Sequence, residues 1–452
     1  MSTKIKSALE AASDTKDLVM GSQVLEKIPE LFKKHFGTQK AVIVADETTY
    51  RLAGKRISEL LDYHGIDQEP AFVFTEPNLY AEYNYVEQLN ASLAAHQAIP
   101  LAVGSGTIND LTKLASHQVG RPYMCIATAA SMDGYTAFGA SITADGAKQT
   151  FSCPAPAVCV ADIDILRDAP REMTAAGYAD LFAKITAGAD WILADSLGVE
   201  AIDPQAWHIV QDGLHDALAD PEGIQKGDEK AIYALISGLM LGGFAMQWSK
   251  SSRPASGAEH QFSHLWNMEH HTNNGEQISH GFQVAIGTLA ITALYEEVLK
   301  YPFDQLDIAA CCTVWPSADE LEAEARQLFK HTDFPEIGIQ ETGAKYIEAS
   351  ALAKQLQRLK DNWPVIKEKL QKQLVTFDEA KRRLKLVGAP YEPAHIGLSK
   401  EYLRKTFVRA QYIRRRFTIL DLLVRTNTLD LFLDKLFGEH GIWELKLSSP
   451  IK

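Results

Sequence analysis

The hydrophobic pattern changes character part-way along this 452-residue chain. Up to about residue 165, short apolar runs alternate with amphipathic stretches whose apolar positions recur at the helical period. Apolar runs this short, separated by helices, are typical of parallel strands that are covered on both faces of the sheet. The predicted strands are residues 41–45, 71–74, 100–103, 124–127 and 157–160, and the predicted helices among them are residues 50–64 and 83–96.

Long helical patterns dominate beyond about residue 170, and few runs there resemble strands. These patterns cover residues 173–193, 229–248, 277–299, 318–330, 343–360 and 400–437. The sequence therefore predicts an α/β domain with a Rossmann-like parallel sheet over residues 1–168. An all-α C-terminal domain over residues 169–452, ending in a helical extension, is expected to follow it.

Composition narrows the classes of partner and compartment. The net charge is -13 at pH 7, which argues against nucleic acid or an anionic membrane as the main partner. The most apolar stretch, residues 232–246, contains a tyrosine, a serine and three glycines, and it is typical of a buried core helix. The five cysteines are odd in number and lack CxxC spacing, so we expect a reducing, cytoplasmic compartment.

A glycine-containing turn follows the third predicted strand. It comprises Gly104, Ser105, Gly106, Thr107 and Ile108. Backbone N–H groups in such a turn can approach a phosphate, and the N-terminus of the next helix adds partial positive charge. A dinucleotide pyrophosphate fits there, although Asn109 stands where the usual GxGxxG pattern has its third glycine. The alternative is a tight turn without a ligand.

Two further segments follow predicted strands. Asp46 ends the first strand, where a carboxylate can accept hydrogen bonds from a ribose, and the alternative is a helix N-cap. The small and hydroxyl residues 128–131 follow the fourth strand and suit the ligand crevice of an α/β sheet. Asp133 precedes Gly134 and can bind a polyol, or it can simply form an Asp-Gly turn.

Histidines suggest a metal centre in the helical region. His260 and His264 are four residues apart, so a helix places them on one face, and His280 follows after a Gly/Asn-rich break. Neutral imidazole is a common ligand of divalent metals, and Asp180 offers the carboxylate of an Asp-His-His set. The alternatives are histidines that share a helical spacing by coincidence and a solvated helix aspartate.

Taken together, these motifs resemble those of the sn-glycerol-1-phosphate dehydrogenases. That family belongs to the wider group of dehydroquinate synthases and iron-type alcohol dehydrogenases. The resemblance covers about residues 40–290 and rests on the order of four segments: GSGTIND at 104–110, TAASMDG at 128–134, GYADLFAK at 177–184, and SGAEHQFSH with HG at 256–281. It implies a dehydroquinate synthase-like fold.

The resemblance also implies residue roles. Gly104 to Ile108 would bind the pyrophosphate of NAD or NADP, and a second cofactor segment would comprise Thr128, Ala129, Ala130 and Ser131. Asp180, His260 and His280 would bind one divalent metal, either zinc or nickel. Asp133, Asp180 and His264 would contact the substrate, with Asp133 and His264 in the catalytic set. Ala137 stands where the family often has a serine that contacts NAD, and either the backbone or Thr136 could substitute for that serine.

The implied reaction is the interconversion of dihydroxyacetone phosphate and sn-glycerol 1-phosphate by hydride transfer. The substrate phosphate could be bound by Arg253 or Lys184, both of which could instead be surface charges. We expect a homodimer that acts on a small phosphorylated substrate and binds neither nucleic acid nor membrane. The alternatives are a glycerol or polyol dehydrogenase on the same scaffold, a dehydroquinate synthase-type lyase, and a non-catalytic nucleotide-binding module.

Overall fold

A parallel sheet forms the N-terminal part of the protein. The computed structural model describes residues 3–144 and 147–445. Its strands are β1 Asp17–Gly21, β2 Ala41–Asp46, β3 Phe72–Phe74, β4 Ile99–Gly104, β5 Met124–Ala127, β6 Ala140–Ala144, β7 Ala147–Phe151, β8 Val158–Asp162, β9 Thr272–Asn273 and β10 Glu276–Gln277. Six of them form one sheet in the order β1-β8-β5-β4-β2-β3, and every neighbouring pair in it is parallel. The predicted parallel sheet is confirmed.

Helices make up most of the remaining described chain. Up to the end of the sheet they are α1 Thr3–Ala11, α2 Ile28–Phe36, α3 Glu47–Thr49, α4 Lys55–Tyr63, α5 Tyr83–Ala94, α6 Gly106–Gln118 and α7 Ile163–Asp168. The next group is α8 Arg171–Phe182, α9 Lys184–Ser196, α10 Pro204–Gln211, α11 Leu214–Ala217, α12 Pro221–Lys226, α13 Glu229–Ser249, α14 Ala258–Met268 and α15 His280–Val298. The last are α16 Ile308–Val314, α17 Ala318–Phe329, α18 Pro335–Lys345, α19 Ala349–Gln373, α20 Phe377–Val387, α21 Lys400–Arg409, α22 Ile419–Arg425 and α23 Leu429–Phe437.

The chain forms two compact units. The first contains Met1–Leu181, Pro204–Ala255 and Leu386–Gly388, and the second contains Phe182–Asp203, Ser256–Lys385 and Ala389–Lys452. This division differs from the expected boundary at residue 168, because helices α10 to α13 pack with the sheet although they follow it in sequence. The expected all-helical region also contains the antiparallel β9–β10 pair.

One hydrophobic cluster of the first unit lies on one face of the sheet. Ile43, Leu101 and Met124 are neighbours across β2, β4 and β5, and they point to the same side. Phe32 of α2 and Ile57 of α4 pack against this face. Successive side chains of a strand alternate between faces, so strands that are apolar at every position must be covered on both sides.

Helix α13 is the longest apolar helix of the first unit. By length and composition it could cross a membrane, with a mean hydropathy of 1.4 in its most apolar window, but 78% of that window is buried inside the protein. Buried core helices pass the same test. The Sγ atom of Cys159 on β8 lies 3.9 Å from Sδ of Met240 on this helix, so α13 covers part of the sheet.

A buried carboxylate joins several helices of the second unit. Asp190 on α9 accepts hydrogen bonds from the Tyr295 hydroxyl at 2.6 Å, the Ala258 amide at 2.8 Å and the Ile419 amide at 2.9 Å. Burial, followed by the nearby Glu259 carboxylate, raises the pKa of Asp190 to about 7, because both disfavour the charged form.

Three predicted helices are divided in the structure. Residues 173–193 form two helices, α8 and α9, that meet at Ala183. Residues 343–360 cover the end of α18 and the start of α19. The backbone turns to an extended conformation at Tyr346, where the Trp315 indole donates to the Ile347 carbonyl at 2.8 Å. Residues 400–437 form α21, α22 and α23. Hydrophobic periodicity alone does not register such breaks.

Candidate functional site

The turn predicted to bind a pyrophosphate lies between β4 and α6. Gly104 ends the strand and Ser105 is the N-cap residue of the helix. A Cβ atom at Gly104 would lie 2.4 Å from Cβ of Ile108, so the turn requires glycine there. The Ile108 side chain is buried, which leaves its backbone as the part able to contact a ligand. The first turn of α6 offers N–H groups of the kind that bind phosphates.

The two other segments predicted to contact the cofactor lie at the same edge of the sheet. The Thr128 amide donates to the Gly104 carbonyl at 3.1 Å, so the segments after β4 and β5 are neighbours. Asp46 ends β2, which pairs with β4. Its Oδ1 accepts from the Thr49 amide at 2.8 Å, so Asp46 is an N-cap, as the alternative reading has it. Its role toward a ribose stays a prediction.

The segment that carries Asp133 is enclosed by close backbone contacts. A Cβ at Gly177 of α8 would lie 1.9 Å from the Ala130 carbonyl oxygen. A Cβ at Gly243 of α13 would lie 2.2 Å from Oγ1 of Thr136 and 2.7 Å from the Asp133 carbonyl oxygen. Glycine at both positions therefore allows two helices to approach this segment more closely than any other residue would permit.

The Thr136 hydroxyl is turned into the protein. It donates to the Met240 carbonyl at 2.7 Å, and the side chain is fully buried. Of the two possible substitutes for the hydroxyl missing at Ala137, Thr136 is therefore wrong, because its hydroxyl is buried and holds the segment on α13. A backbone contact stays a prediction.

A buried lysine outside the predicted motifs joins this segment to α6. Lys113 Nζ donates to the carbonyls of Gly134, Ala137 and Gly139 at 2.9, 3.0 and 3.0 Å. Its side chain is fully buried, and Asp110 lies 3.5 Å from it. Lys113 lies three residues after the GSGTIND segment, but its position in the sequence does not predict which carbonyl groups it contacts.

Three of the predicted ligands converge. Asp180, His260 and His280 each offer one ligand atom, and these atoms lie within 4.8 Å of one another. Asp180 is 1% exposed and His260 is 7% exposed, so the alternative of a solvated helix aspartate is wrong. Asp180 Oδ2 also accepts from the Asp133 amide at 3.1 Å, which links the predicted ligand to the predicted substrate segment.

The three histidine rings form a cluster in which His264 has a separate place. The ring centroids of His260 and His280 are 5.2 Å apart, whereas His264 lies 6.4 Å from the first and 6.2 Å from the second. His264 is partly exposed and adjoins the converging ligands without being one of them. The metal role of His260 and the substrate role of His264 stay predictions.

Helix packing brings His260 and His280, the two predicted ligand histidines, together. His280 is the first residue of α15, and its neighbour Ser279 caps that helix. A Cβ at Gly287 of α15 would lie 2.5 Å from the carbonyl oxygen of Glu259 on α14. The backbones of α14 and α15 can therefore approach closely only because residue 287 is glycine.

Each of these predicted ligand histidines is hydrogen-bonded through Nδ1. His260 Nδ1 lies 2.8 Å from Glu259 Oε1, and His280 Nδ1 lies 3.0 Å from Ser263 Oγ. Burial by itself raises the pKa of Glu259, but hydrogen bonds from His260, Gly257 and other donors outweigh it and hold that pKa below its ordinary value. Neighbouring helix residues point in different directions, so the sequence did not indicate that Glu259 contacts His260.

Comparison with known proteins identifies the family. Residues 19–170 match the family described as iron-containing alcohol dehydrogenase. The chain is 37% identical over 282 residues to the NAD(P)+ glycerol-1-phosphate dehydrogenase of Halalkalibacterium halodurans. The matched region covers 62% of this chain and 70% of that protein. The chain belongs to the glycerol-1-phosphate dehydrogenase family. The Bacillus licheniformis member is 32% identical over 348 residues, covering 75% of this chain and 86% of that protein.

Solved structures agree on the fold. The crystal structure of a probable glycerol dehydrogenase from Sinorhizobium meliloti 1021 has a TM-score of 0.58 and 14% sequence identity, covering 94% of this chain and 98% of that one. Such low identity shows the fold alone. It confirms the predicted dehydroquinate synthase-like fold. Metal dependence follows instead from the matched family, which is described as iron-containing alcohol dehydrogenase.

Two cations predicted near the substrate phosphate are buried. Arg253 is 2% exposed and Lys184 is fully buried, so the alternative that they are surface charges is wrong. Buried cations require anionic or carbonyl partners. Their role toward a phosphate stays a prediction.

Proposed function

We propose that this protein interconverts dihydroxyacetone phosphate and sn-glycerol 1-phosphate, with NAD or NADP carrying the hydride that C2 of the substrate gains or loses. The proposal is supported by membership of the glycerol-1-phosphate dehydrogenase family. The observation that carries it is the convergence of Asp180, His260 and His280, whose ligand atoms lie within 4.8 Å of one another.

The donor set fits a divalent cation. One carboxylate and two imidazoles are mixed oxygen and nitrogen ligands of the kind that zinc and nickel accept, and three protein ligands leave a coordination position for substrate. Asp180 and His260 are almost fully buried, and polar groups at such sites need charged or hydrogen-bonded partners, of which a cation would be one. When bound, the cation supplies Lewis-acid stabilisation of negative charge on the substrate oxygen.

The chain's own residues bind and orient the reactants in this proposal. Asp133 accepts a hydrogen bond from a substrate hydroxyl, and His264 contacts the substrate and exchanges a proton with its C2 oxygen. The amides that follow Gly104 bind the cofactor pyrophosphate. Residues 128–131 form a second cofactor contact, and Asp46 accepts a hydrogen bond from the ribose.

Arg253 and Lys184 are the proposed candidates for binding the substrate phosphate. A cation at either position would distinguish the phosphorylated substrate from glycerol. Replacing Arg253 by methionine keeps most of the buried volume and removes the charge. We expect the KM for dihydroxyacetone phosphate to rise about tenfold or more, since a charge-assisted hydrogen bond contributes roughly 1.5–3 kcal/mol. A KM that does not change removes Arg253 from the proposal.

A coupled set of assays tests the reaction. NADH oxidation is followed with dihydroxyacetone phosphate, before and after treatment with a chelator, and then after zinc or nickel is restored. The reverse reaction is run with sn-glycerol 1-phosphate and, separately, with glycerol. We expect activity with the phosphorylated pair, loss of activity on chelation and recovery with metal. Efficient turnover of glycerol alone would favour the polyol dehydrogenase alternative.

His208 offers a matched control for a histidine substitution. Its side chain is 73% exposed and pairs with Asp212. We expect His208→Ala to retain full activity, whereas His260→Ala loses both metal and activity. Activity that survives His260→Ala intact would support the non-catalytic role of the cluster and contradict the proposal.

A cytoplasmic homodimer completes the proposal. All five cysteines lie in the described part of the chain as free thiols, which agrees with a reducing compartment. Size-exclusion chromatography with light scattering should give twice the chain mass, and a monomer mass would contradict the dimer.

A further inference from the structure

Both predicted metal-binding histidines have one ring nitrogen already engaged. In each case it is Nδ1: Glu259 Oε1 lies 2.8 Å from His260, and Ser263 Oγ lies 3.0 Å from His280. A neutral imidazole carries one proton, and the nitrogen without it is the one that can bind a metal. The partner of Nδ1 therefore decides which nitrogen is available.

For His260 the partner is a carboxylate that can only accept. Glu259 is fully buried and is held by two other donors. Its Oε1 also accepts from the Gly257 amide at 2.6 Å, and its Oε2 accepts from the Thr186 hydroxyl at 2.8 Å. The carboxylate has no freedom to turn away. The proton of His260 accordingly lies on Nδ1, which makes Nε2 the ring nitrogen whose lone pair can bind a cation.

For His280 the partner is a hydroxyl at the end of a directional chain. Ser263 Oγ donates to Oε1 of Gln283 at 2.7 Å, and Nε2 of Gln283 donates to Oδ1 of Asn267 at 3.0 Å. A hydroxyl has one proton to donate. Because that proton is directed to Gln283, Ser263 must accept from His280, which again places the ring proton on Nδ1.

We propose that Glu259 and Ser263 are positioning residues that hold His260 and His280 in the Nδ1–H tautomer and so present both Nε2 atoms to the metal. This inference rests on the proposed function, because it takes the converging residues as ligands. The two partners are unequal: a carboxylate makes the imidazole it contacts a stronger ligand than a neutral hydroxyl does. Loss of the Glu259 charge is therefore expected to weaken metal binding more than loss of the Ser263 hydroxyl.

Measurements of metal affinity test the positioning roles of Glu259 and Ser263 without substrate. Zinc affinity is measured at one fixed pH by competition with a chromophoric chelator for the full-length protein and its variants. Glu259→Gln keeps the shape and the hydrogen bond but removes the charge, and we expect roughly 10- to 100-fold weaker binding. Ser263→Ala should weaken binding less, and Ser263→Thr, which retains a hydroxyl, should restore it.

A matched serine provides the control. Ser237 on α13 donates to the Tyr233 carbonyl at 2.7 Å, as helix serines commonly do, and has no part in the proposed site. Ser237→Ala should bind zinc with wild-type affinity. A general effect of removing a helix hydroxyl would lower both serine variants equally and would contradict the positioning role.

The tautomers can be read directly in the unaltered protein, so the proposal does not depend on any variant folding. Protein labelled with ¹⁵N-histidine and loaded with zinc should give two-bond ¹H–¹⁵N correlations with two metal-bound Nε2 atoms and protonated Nδ1 atoms. Metal bound through Nδ1 of either histidine would overturn the inference. Normal zinc binding without turnover of dihydroxyacetone phosphate would instead refute only the proposed function.

Discussion

Replacing Lys113 by methionine should destabilise the protein by several kcal/mol, because this buried ammonium holds the segment that follows Asp133. Lys113 donates to the carbonyls of Gly134, Ala137 and Gly139 at 2.9 to 3.0 Å. Methionine has a similar length and keeps the apolar contacts of the lysine stem. The change therefore removes mainly the charge and its three hydrogen bonds.

The magnitude follows from which acceptors lose a donor. The Gly134 carbonyl still accepts a hydrogen bond from the Asn109 side-chain amide at 3.3 Å. The carbonyls of Ala137 and Gly139 are therefore the two acceptors that lose the Lys113 donor. A buried acceptor left without its donor costs about 1–3 kcal/mol, which gives about 2–6 kcal/mol for the pair. Breaking a buried ion pair by removing one partner costs roughly 3–5 kcal/mol, and the two estimates overlap. We expect Lys113→Met to lower the free energy of unfolding by about 3–5 kcal/mol.

Urea denaturation measures this loss, with Lys300→Met as the control. Lys300 is 64% exposed and pairs with Glu297, and exposed pairs contribute about 0–1 kcal/mol. Burial raises the pKa of Asp110, and Lys113 opposes that rise, so the double variant Asp110→Asn/Lys113→Met should lose less than the sum of the single variants. A loss for Lys113→Met below about 1 kcal/mol, or equal to that of the control, would refute the reasoning.

Three other variants test the helices and the site. Gly287→Ala places a Cβ 2.5 Å from the Glu259 carbonyl oxygen, so we expect it to lower the free energy of unfolding by about 1–3 kcal/mol and to weaken zinc binding. The control Gly343→Ala, whose Cβ meets nothing within 4 Å, should be neutral or stabilising, and equal effects of the two variants in thermal denaturation would contradict the close packing. The fold raises the pKa of Asp190 from 3.8 to about 7, so the contribution of this group to stability falls as pH rises from 4 to 7, by at most about 4 kcal/mol. In metal-free protein, Asp190→Asn should therefore show a flatter dependence of the free energy of unfolding on pH between 4 and 7. Parallel curves for wild type and variant would contradict the raised pKa. His264→Asn should lower kcat about 100-fold or more with metal content unchanged, and loss of metal would instead make His264 a ligand.

Periodicity and short apolar runs were enough to predict the central strands, since β2, β4, β5 and β8 are apolar at nearly every position. The edge strand β1 was missed. Its sequence carries Asp17 and Gly21, only Leu18 is buried, and its partner β8 lies about 140 residues away. Its apolar run, residues 18–20, is only three residues long, so its local pattern is weaker than that of the central strands, and pairing with a distant segment helps to stabilise it.

The candidate site likewise contains residues that the sequence predicted and residues that it did not. Ligand chemistry limited the candidates to a few residue types, the family resemblance chose Asp180, His260 and His280 among them, and the structure brings their ligand atoms within 4.8 Å of one another. The groups that support them were not available. Contacts such as that between Lys113 and three carbonyls depend on where helices and loops pack, and no fixed spacing in the chain announces them.

The measurement that bears most directly on the account is metal stoichiometry in purified protein and in variants at the three converging positions. We predict one zinc or nickel ion per chain in the wild type, and a marked loss of metal in Asp180→Asn, His260→Ala and His280→Ala, each still folded by circular dichroism. Wild-type protein that takes up no divalent metal, or three variants that retain a full complement, would contradict the claim that these residues form a metal centre.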